Sequence, residues 1–209
     1  MRWMTLLLAA GLLMGTVRAE DKPKAPESKA ESKPKKPKIY KVGDKVELTG
    51  VYKDLAGGTD VDLAKAFKES KKGVIFLWYS PTCPYCFRFV EEKTKLKEKY
   101  TKEGWTFIGV CSNSFNRRMP DAATHKKMYT KQKVPFPVIN DIEQKVLARA
   151  FGAQRTPTYA VIPKATGKLG YLGSARGLKN KTPYLAPYLD AVGAGKEAPK
   201  LTAEMAAWG

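Results

Sequence analysis

The stretch Val74–Cys86, VIFLWYSPTCPYC, decides the fold. It begins as an apolar and aromatic run behind the breaker Gly73. A strand covered on both faces reads this way, because neither face meets water, and such strands are typical of parallel sheets. It ends on Cys83 and Cys86, spaced C-x-x-C, with Pro84 directly after the first. Proline suits the first helical position, where its missing N–H costs nothing. The order strand, short loop, Cys83, helix therefore places Cys83 at a helix N-terminus. Free N–H groups and the positive end of the dipole stabilise a thiolate there. Cys86 follows one turn inside the helix, close enough to form a disulfide with Cys83. The thiolate is the nucleophile of disulfide exchange, so Cys83 is the expected attacker and Cys86 the shielded resolver.

Outward from this stretch, strands and helices alternate. Residues 39–49 alternate apolar and polar around Gly43-Asp44, as a strand or hairpin would. A short strand, a Gly57-Gly58 turn and an amphipathic stretch follow, with Leu63, Ala66 and Phe67 inward. The helix from Pro84 should keep Cys86, Phe89, Val90, Lys93, Leu96 and Tyr100 on one side, with Glu91 and Lys95 paired across a turn. WTFIGVCSN is a second buried strand. The polar segment after it is mostly helical beyond Pro120, and FPVIND is a short apolar piece. IEQKVLARAFGA reads as a helix with Ile142, Val146, Leu147 and Phe151 inward and Gly152 as its stop. TPTYAVIP and KLGYLGS are two strands around the turn KATG. The last helix, TPYLAPYLDAVGAG, contains Pro187, which is unfavourable inside a helix and would kink it. This order predicts an α/β sandwich with a central mixed sheet flanked by helices.

The ends differ from the middle. Residues 1–19 hold one early arginine, an apolar run from Trp3 to Val17, and Val17 and Ala19 at a cleavage site, the pattern of a secretory signal peptide. Left uncleaved, the segment would tether the protein to a membrane. Residues 20–38 are rich in lysine, proline and glutamate and cannot bury enough surface to order, so they read as an extended tether. The folded domain is expected over 39–195, with a tail at 196–209. The formal net charge is +18, which reads first as a solvated lysine-rich surface and second as a face for an anionic envelope partner. Export and the lack of a recognition motif argue against nucleic acid.

Export also sets the meaning of the cysteines, since disulfides persist outside the cytosol. Three cysteines exclude a dense disulfide scaffold. A zinc site needs about four ligands, and Cys83, Cys86, Cys111 and His125 provide one set and no more. Copper held by the C-x-x-C, in a carrier or scaffold, is the non-enzymatic alternative. Cys111 ends a buried strand and reads first as a small core residue. If that strand neighbours Val74–Ser80 in parallel, Cys111 lies near the dithiol and becomes a candidate third redox thiol. His125 reads as a surface residue of a polar helix. Trp78 and Tyr79 read as packing beneath the motif, and Tyr85 as exposed and able to touch a partner.

These pieces carry a resemblance. VIFLWYSPTCPYC, GWTFIGVCSN, FPVINDIEQKVLARAFGAQRTPTYAVIPKATGKLGYLG and the closing helix resemble the redoxin branch of thioredoxin-fold proteins. That branch includes TlpA/ResA-like extracytoplasmic thiol–disulfide oxidoreductases and peroxiredoxin-like proteins. The resemblance implies a thioredoxin-like three-layer sandwich and an oxidoreductase acting on protein thiols and disulfides. It implies no organic cofactor beyond the redox-active disulfide, and a membrane or periplasmic electron donor. It assigns Cys83 as nucleophile, Cys86 as resolver, Pro157 as a cis-proline, and Thr156 as the residue whose backbone pairs with a bound partner. Pro84 and Tyr85 join Thr156 and Pro157 as expected substrate contacts. The sequence departs from the pattern at Leu77, where thioredoxins carry a buried aspartate, leaving water as the expected proton acceptor. Peroxiredoxins carry a Thr or Ser three residues before their reactive cysteine and a proline seven before. Ser80 fits the first and Phe76 departs from the second, so a thiol peroxidase is the alternative enzyme.

Overall fold

The computed structural model describes residues 38–200 apart from 89, 115–117, 120, 144 and 178–180. The expected signal segment, the tether up to residue 37 and the tail from 201 lie outside the described residues.

The central strand β3, Gly73–Trp78, is buried along its whole length. Alternate side chains leave it toward opposite faces, and each face has its own core. Ile75 and Leu77 pack with Cys86, Tyr100, Phe107, Tyr159 and Leu189. Val74, Phe76 and Trp78 pack with Leu63, Ile108, Leu147, Phe151 and Ile162. Each large apolar side chain buried in this way contributes about 1.5–3 kcal/mol, which is why the strand tolerates no polar residue. Gly73 is required at its start. Its φ is +130°, and an added Cβ would sit 2.2 Å from the carbonyl oxygen of Ile162.

Strand β4, Trp105–Cys111, runs parallel to β3, with Trp78 opposite Val110. Strand β5, Val138–Asn140, continues the parallel side, with Cys111 opposite Asn140. On the other side β6, Thr158–Pro163, pairs antiparallel with β3 and places Thr158 opposite Trp78. Strand β7, Tyr171–Gly173, completes the order β5-β4-β3-β6-β7. The mixed sheet between two helical layers is the expected sandwich. A separate two-stranded ribbon is formed by β1, Val51–Tyr52, and β2, Val61–Asp62. It leads into α1, Leu63–Glu69, whose first turn is capped by the Asp62 side chain on the Lys65 N–H.

The helices after β3 are α2, Pro84–Arg88, and α3, Val90–Lys102. Cys86, Lys93 and Tyr100 are buried on their inner side, and Glu91 pairs with Lys95 at 2.7 Å. Helix α4, Ala122–Lys131, is capped by Asp121 on the Thr124 N–H. Helix α6, Leu185–Gly193, closes the described chain.

Four sequence expectations are corrected. Residues 39–49 form no ladder: one bridge, Lys45 to Lys168, and the bonds from Gly43 N–H to Leu169 and Val46 N–H to Gly167 pin an extended segment, with Val46 and Leu48 buried. The alternation predicts a strand or hairpin, but Ile39 and Val42 are exposed and only Val46 and Leu48 turn inward. The helix expected from Ile142 starts later, as α5, Val146–Ala150. Asp141 accepts from the N–H groups of Leu147 and Ala148 and so sets the start. Val146 and Val90, expected inward, are 46% and 37% exposed; Val146 is the first residue of α5, beyond the packed stripe. Pro187 falls in the first turn of α6, where N–H groups have no partner within the helix, so it costs no helical hydrogen bond.

Candidate active site

Strand β3 delivers the chain to Ser80 and Pro81 at the sheet edge, and α2 begins at Pro84. Between them Cys83 donates its N–H to Ser80 O at 3.3 Å, and Cys86 donates its N–H to Cys83 O at 3.0 Å. Cys83 is half-buried and Cys86 fully buried. The two thiols form a hydrogen-bonded pair, and the proton stays on the inner one. The Cys86 S–H, the Thr156 side chain and the N–H groups of Cys86 and Tyr85 hold Cys83 down to about 5 against the cost of partial burial. The Cys83 charge and burial push the Cys86 thiol far up. A low and a raised thiol within one turn is the division of labour that disulfide exchange needs.

The Thr156-Pro157 peptide is cis, and Cys83 Sγ lies 3.2 Å from Thr156 O, seventy-three residues away in the chain. The antiparallel register of β6 on β3 makes this approach. The structure thus brings Cys83, Cys86, Thr156 and Pro157 together. Tyr85 is 46% exposed, with the Arg88 guanidinium 5.6 Å from its ring centroid. Beside the dithiol runs a groove of about 490 Å³, lined by Trp78, Tyr85, Lys93, Arg155, Thr156 and Pro157 among others. Pro84 is exposed at its helix end and does not line it.

Support comes from α4, which the sequence left as a polar helix. Gln132, at its C-terminal end, donates to Pro81 O at 2.9 Å and accepts from the Tyr79 hydroxyl at 2.7 Å. It fixes the loop that carries Cys83. The helical period puts Lys93 on the inner face of its helix, and nothing in the sequence assigns it a role. Its head donates to Cys86 O and stands 4.0 Å from the centroid of the Tyr79 ring. A lysine in an apolar helical stripe was the signal available.

His125 corrects another expectation. It is fully buried, not on the surface, and its Nδ1 meets Cys111 Sγ at 3.5 Å. The α4 face that carries His125 and Tyr129 packs on the sheet, and burial lowers the imidazole's proton affinity. Cys111 is fully buried, and desolvation raises its thiol. Ser80 Oγ bonds Thr82 Oγ1 at 3.2 Å, and Phe76 lies in the core. Among the described residues no three His, Cys, Asp or Glu side chains are grouped to hold a metal.

Comparison with known proteins places this geometry in a family. The redoxin family model matches residues 41–177, and the chain belongs to the redoxin family. Membership carries a thiol–disulfide redox role in the general sense. The fold is similar to that of an uncharacterized conserved protein from Geobacillus kaustophilus, at 22% identity and TM-score 0.67, covering 78% of this chain and 88% of that one. A hypothetical protein from Sinorhizobium meliloti 1021 is similar at 26% identity and TM-score 0.60, over 76% and 91% of the two chains. A thioredoxin-like protein solved in its oxidized form aligns at 17% identity and TM-score 0.54, over 73% and 96%. No curated protein matches the sequence.

Proposed function

We propose that this protein is an extracytoplasmic thiol–disulfide oxidoreductase acting on protein cysteines through Cys83 and Cys86. The observation that carries the reading is the geometry of the pair: half-buried Cys83 at the start of α2, 3.2 Å from Thr156 O beside the cis Pro157, and fully buried Cys86 one turn inside the helix. The Cys83 thiolate attacks a substrate disulfide, forms the mixed disulfide and expels one substrate thiolate. Cys86 then loses its proton and attacks Cys83 Sγ. The mixed bond breaks and the second substrate sulfur leaves; the substrate has gained two electrons, with one proton from Cys86 and one from solvent. The reverse order oxidises a dithiol. The dithiol carries both electrons, so the reaction draws on no organic cofactor.

Thr156, Pro157 and Tyr85 border the groove next to Cys83, and an extended partner segment placed there would meet the thiolate from the solvent side. Pro84 acts as the helix start that orients Cys83. Export is inferred from the arginine and apolar run of residues 1–19, and the electron donor is then a membrane or extracytoplasmic dithiol. An anionic envelope surface suits the chain's positive charge.

Equilibration in graded glutathione buffers, alkylation and mass measurement test the proposal. A reversible two-electron couple confined to Cys83 and Cys86 is expected. Stable sulfenate on Cys83 with rapid peroxide consumption would instead make the protein a peroxidase, and stoichiometric copper blocking alkylation would make it a metal carrier.

A further inference from the structure

Closing the disulfide requires the buried Cys86 thiol to lose a proton where water has little access. Thioredoxin-fold proteins commonly hold a carboxylate beneath the dithiol, and here that position is Leu77, fully buried. The two carboxylates in the first turn of α3 are ion-paired. Glu91 is bound to Lys95 at 2.7 Å, and Glu92 to Arg176 at 3.2 Å. Tyr79 at the end of β3, Tyr129 on α4 and Tyr159 on β6 face the same region, and burial holds all three protonated.

Lys93 is different. It lies on α3, seven residues after Cys86 on α2, and like Cys86 it is buried. It is 4% exposed, and a lysine is almost never so buried without a partner. Its Nζ reaches back to the carbonyl of Cys86 itself and rests over the Tyr79 ring. Lys93 also lines the groove beside the dithiol.

We propose that Lys93 is the proton acceptor for Cys86 in the resolving step, a role that rests on the exchange reading above. Desolvation brings the Lys93 amine down to about 8, while the charges of Cys86 and Cys83 favour its protonated form. In the mixed disulfide Cys83 is bonded to sulfur and carries no charge. One support of the ammonium is then gone, and a larger share of Lys93 stands as the neutral amine that can accept a proton. The proton moves from Cys86 Sγ to Lys93 Nζ. The Cys86 thiolate attacks Cys83 Sγ and forms the ring disulfide as the Cys83–substrate bond breaks. The departing thiolate takes the proton from the Lys93 ammonium and leaves as a thiol. Atoms, charge and electrons balance, and Lys93 ends neutral.

A stoichiometric reaction of the reduced protein with dithiobis(nitrobenzoate) separates the two steps. The first thionitrobenzoate released reports attack by Cys83, and the second reports closure by Cys86. Lys93→Met is expected to slow the second phase by about 10²-fold, the ordinary scale of a general base, and to leave the first within about threefold. Lys93→Arg keeps the charge but cannot give up its proton, so it should be slow as well. In the native protein the second phase should rise with pH through an ionisation at or below about 8, absent from both variants. Native closure rates in Lys93→Met, or full rescue by arginine, would overturn the proposal. If Lys93→Met does not fold, the native profile decides together with Lys93→Arg: no ionisation in that range overturns it. Absence of any second phase in the native protein would instead defeat the exchange reading itself.

Discussion

Strands β3 and β4 run parallel at the centre of the sheet, and a cysteine stands at or just beyond the end of each. Past β3 the chain turns outward into a helix, and Cys83 meets solvent, N–H groups and a second thiol. At β4 the cysteine is still within the strand, and Cys111 meets His125, Tyr129 and the core. One sulfur is held down to about 5, and the other is pushed up by burial. Neighbouring strands of the same sheet therefore present the same residue type with opposite chemistry. A few residues of chain beyond the strand end and a helix N-terminus make the difference.

The largest effect should come from the first of these cysteines. Cys83→Ser should lower turnover of a protein disulfide substrate by about 10³-fold or more, as loss of a nucleophile does. Turnover retained within an order of magnitude would mean that another thiol, Cys111 first of all, does the work. Cys86→Ser should instead leave Cys83 able to attack and accumulate the mixed disulfide, visible by mass as a stable adduct.

The pH dependence sharpens the contrast. Cys83 has a lowered pKa, so its thiolate persists above about 5 and is lost below it. Alkylation of the reduced protein should show a midpoint near pH 5 and little change from there to neutrality. A cysteine at the ordinary value of 9.0 would be about 1% ionised at neutrality. A midpoint near that value would remove the electrostatic half of the comparison. Cys111 should resist the same reagent until the protein unfolds.

Stability tests address the second strand end. The buried Asp141 carboxylate accepts from Leu147 N–H and Ala148 N–H, each at 3.0 Å, and from Ser112 Oγ at 2.6 Å. It ties the end of β5 to α5. Asp141→Ala should cost about 2 kcal/mol in urea unfolding, since buried donors lose their acceptor. The smallest effect belongs to Cys111→Ser, which sets a hydroxyl among apolar neighbours at about 1 kcal/mol. Exchange should stay within about twofold of the native rate. A larger loss of exchange with unchanged stability would make Cys111 a third redox thiol.

Much of this arrangement is legible in the chain. The run Val74–Ser80 announces a strand buried on both sides, and Pro84 announces the helix that places Cys83 at its N-terminus. Thr156-Pro157 marks the loop opposite. Other features are not legible because their cause lies elsewhere in the fold. His125 sits in a polar stretch, yet the face of α4 it occupies is pressed onto the sheet. Residues 39–49 alternate like a strand, yet the segment lies along the β6–β7 turn and pairs through isolated bonds. Val146 fits a helical stripe, but Asp141 moves the start of the helix to that residue and leaves it exposed.

The sequence by itself determined the alternation of strands and helices, a cysteine pair at a helix N-terminus, and the redoxin resemblance. These depend on local facts: an apolar run, a proline after a cysteine, a spacing of one helical turn. Only the tertiary structure decided which groups surround that dithiol. Thr156 reaches Cys83 because β6 pairs antiparallel with β3 in one register, and Gln132 braces the loop because α4 packs beside it. Periodicity could turn Lys93 inward, but it could not say that the Tyr79 ring and the Cys86 carbonyl wait there. A side chain's direction is set within a few residues of backbone, whereas its dielectric surroundings and partners are set by chain segments that only folding brings together.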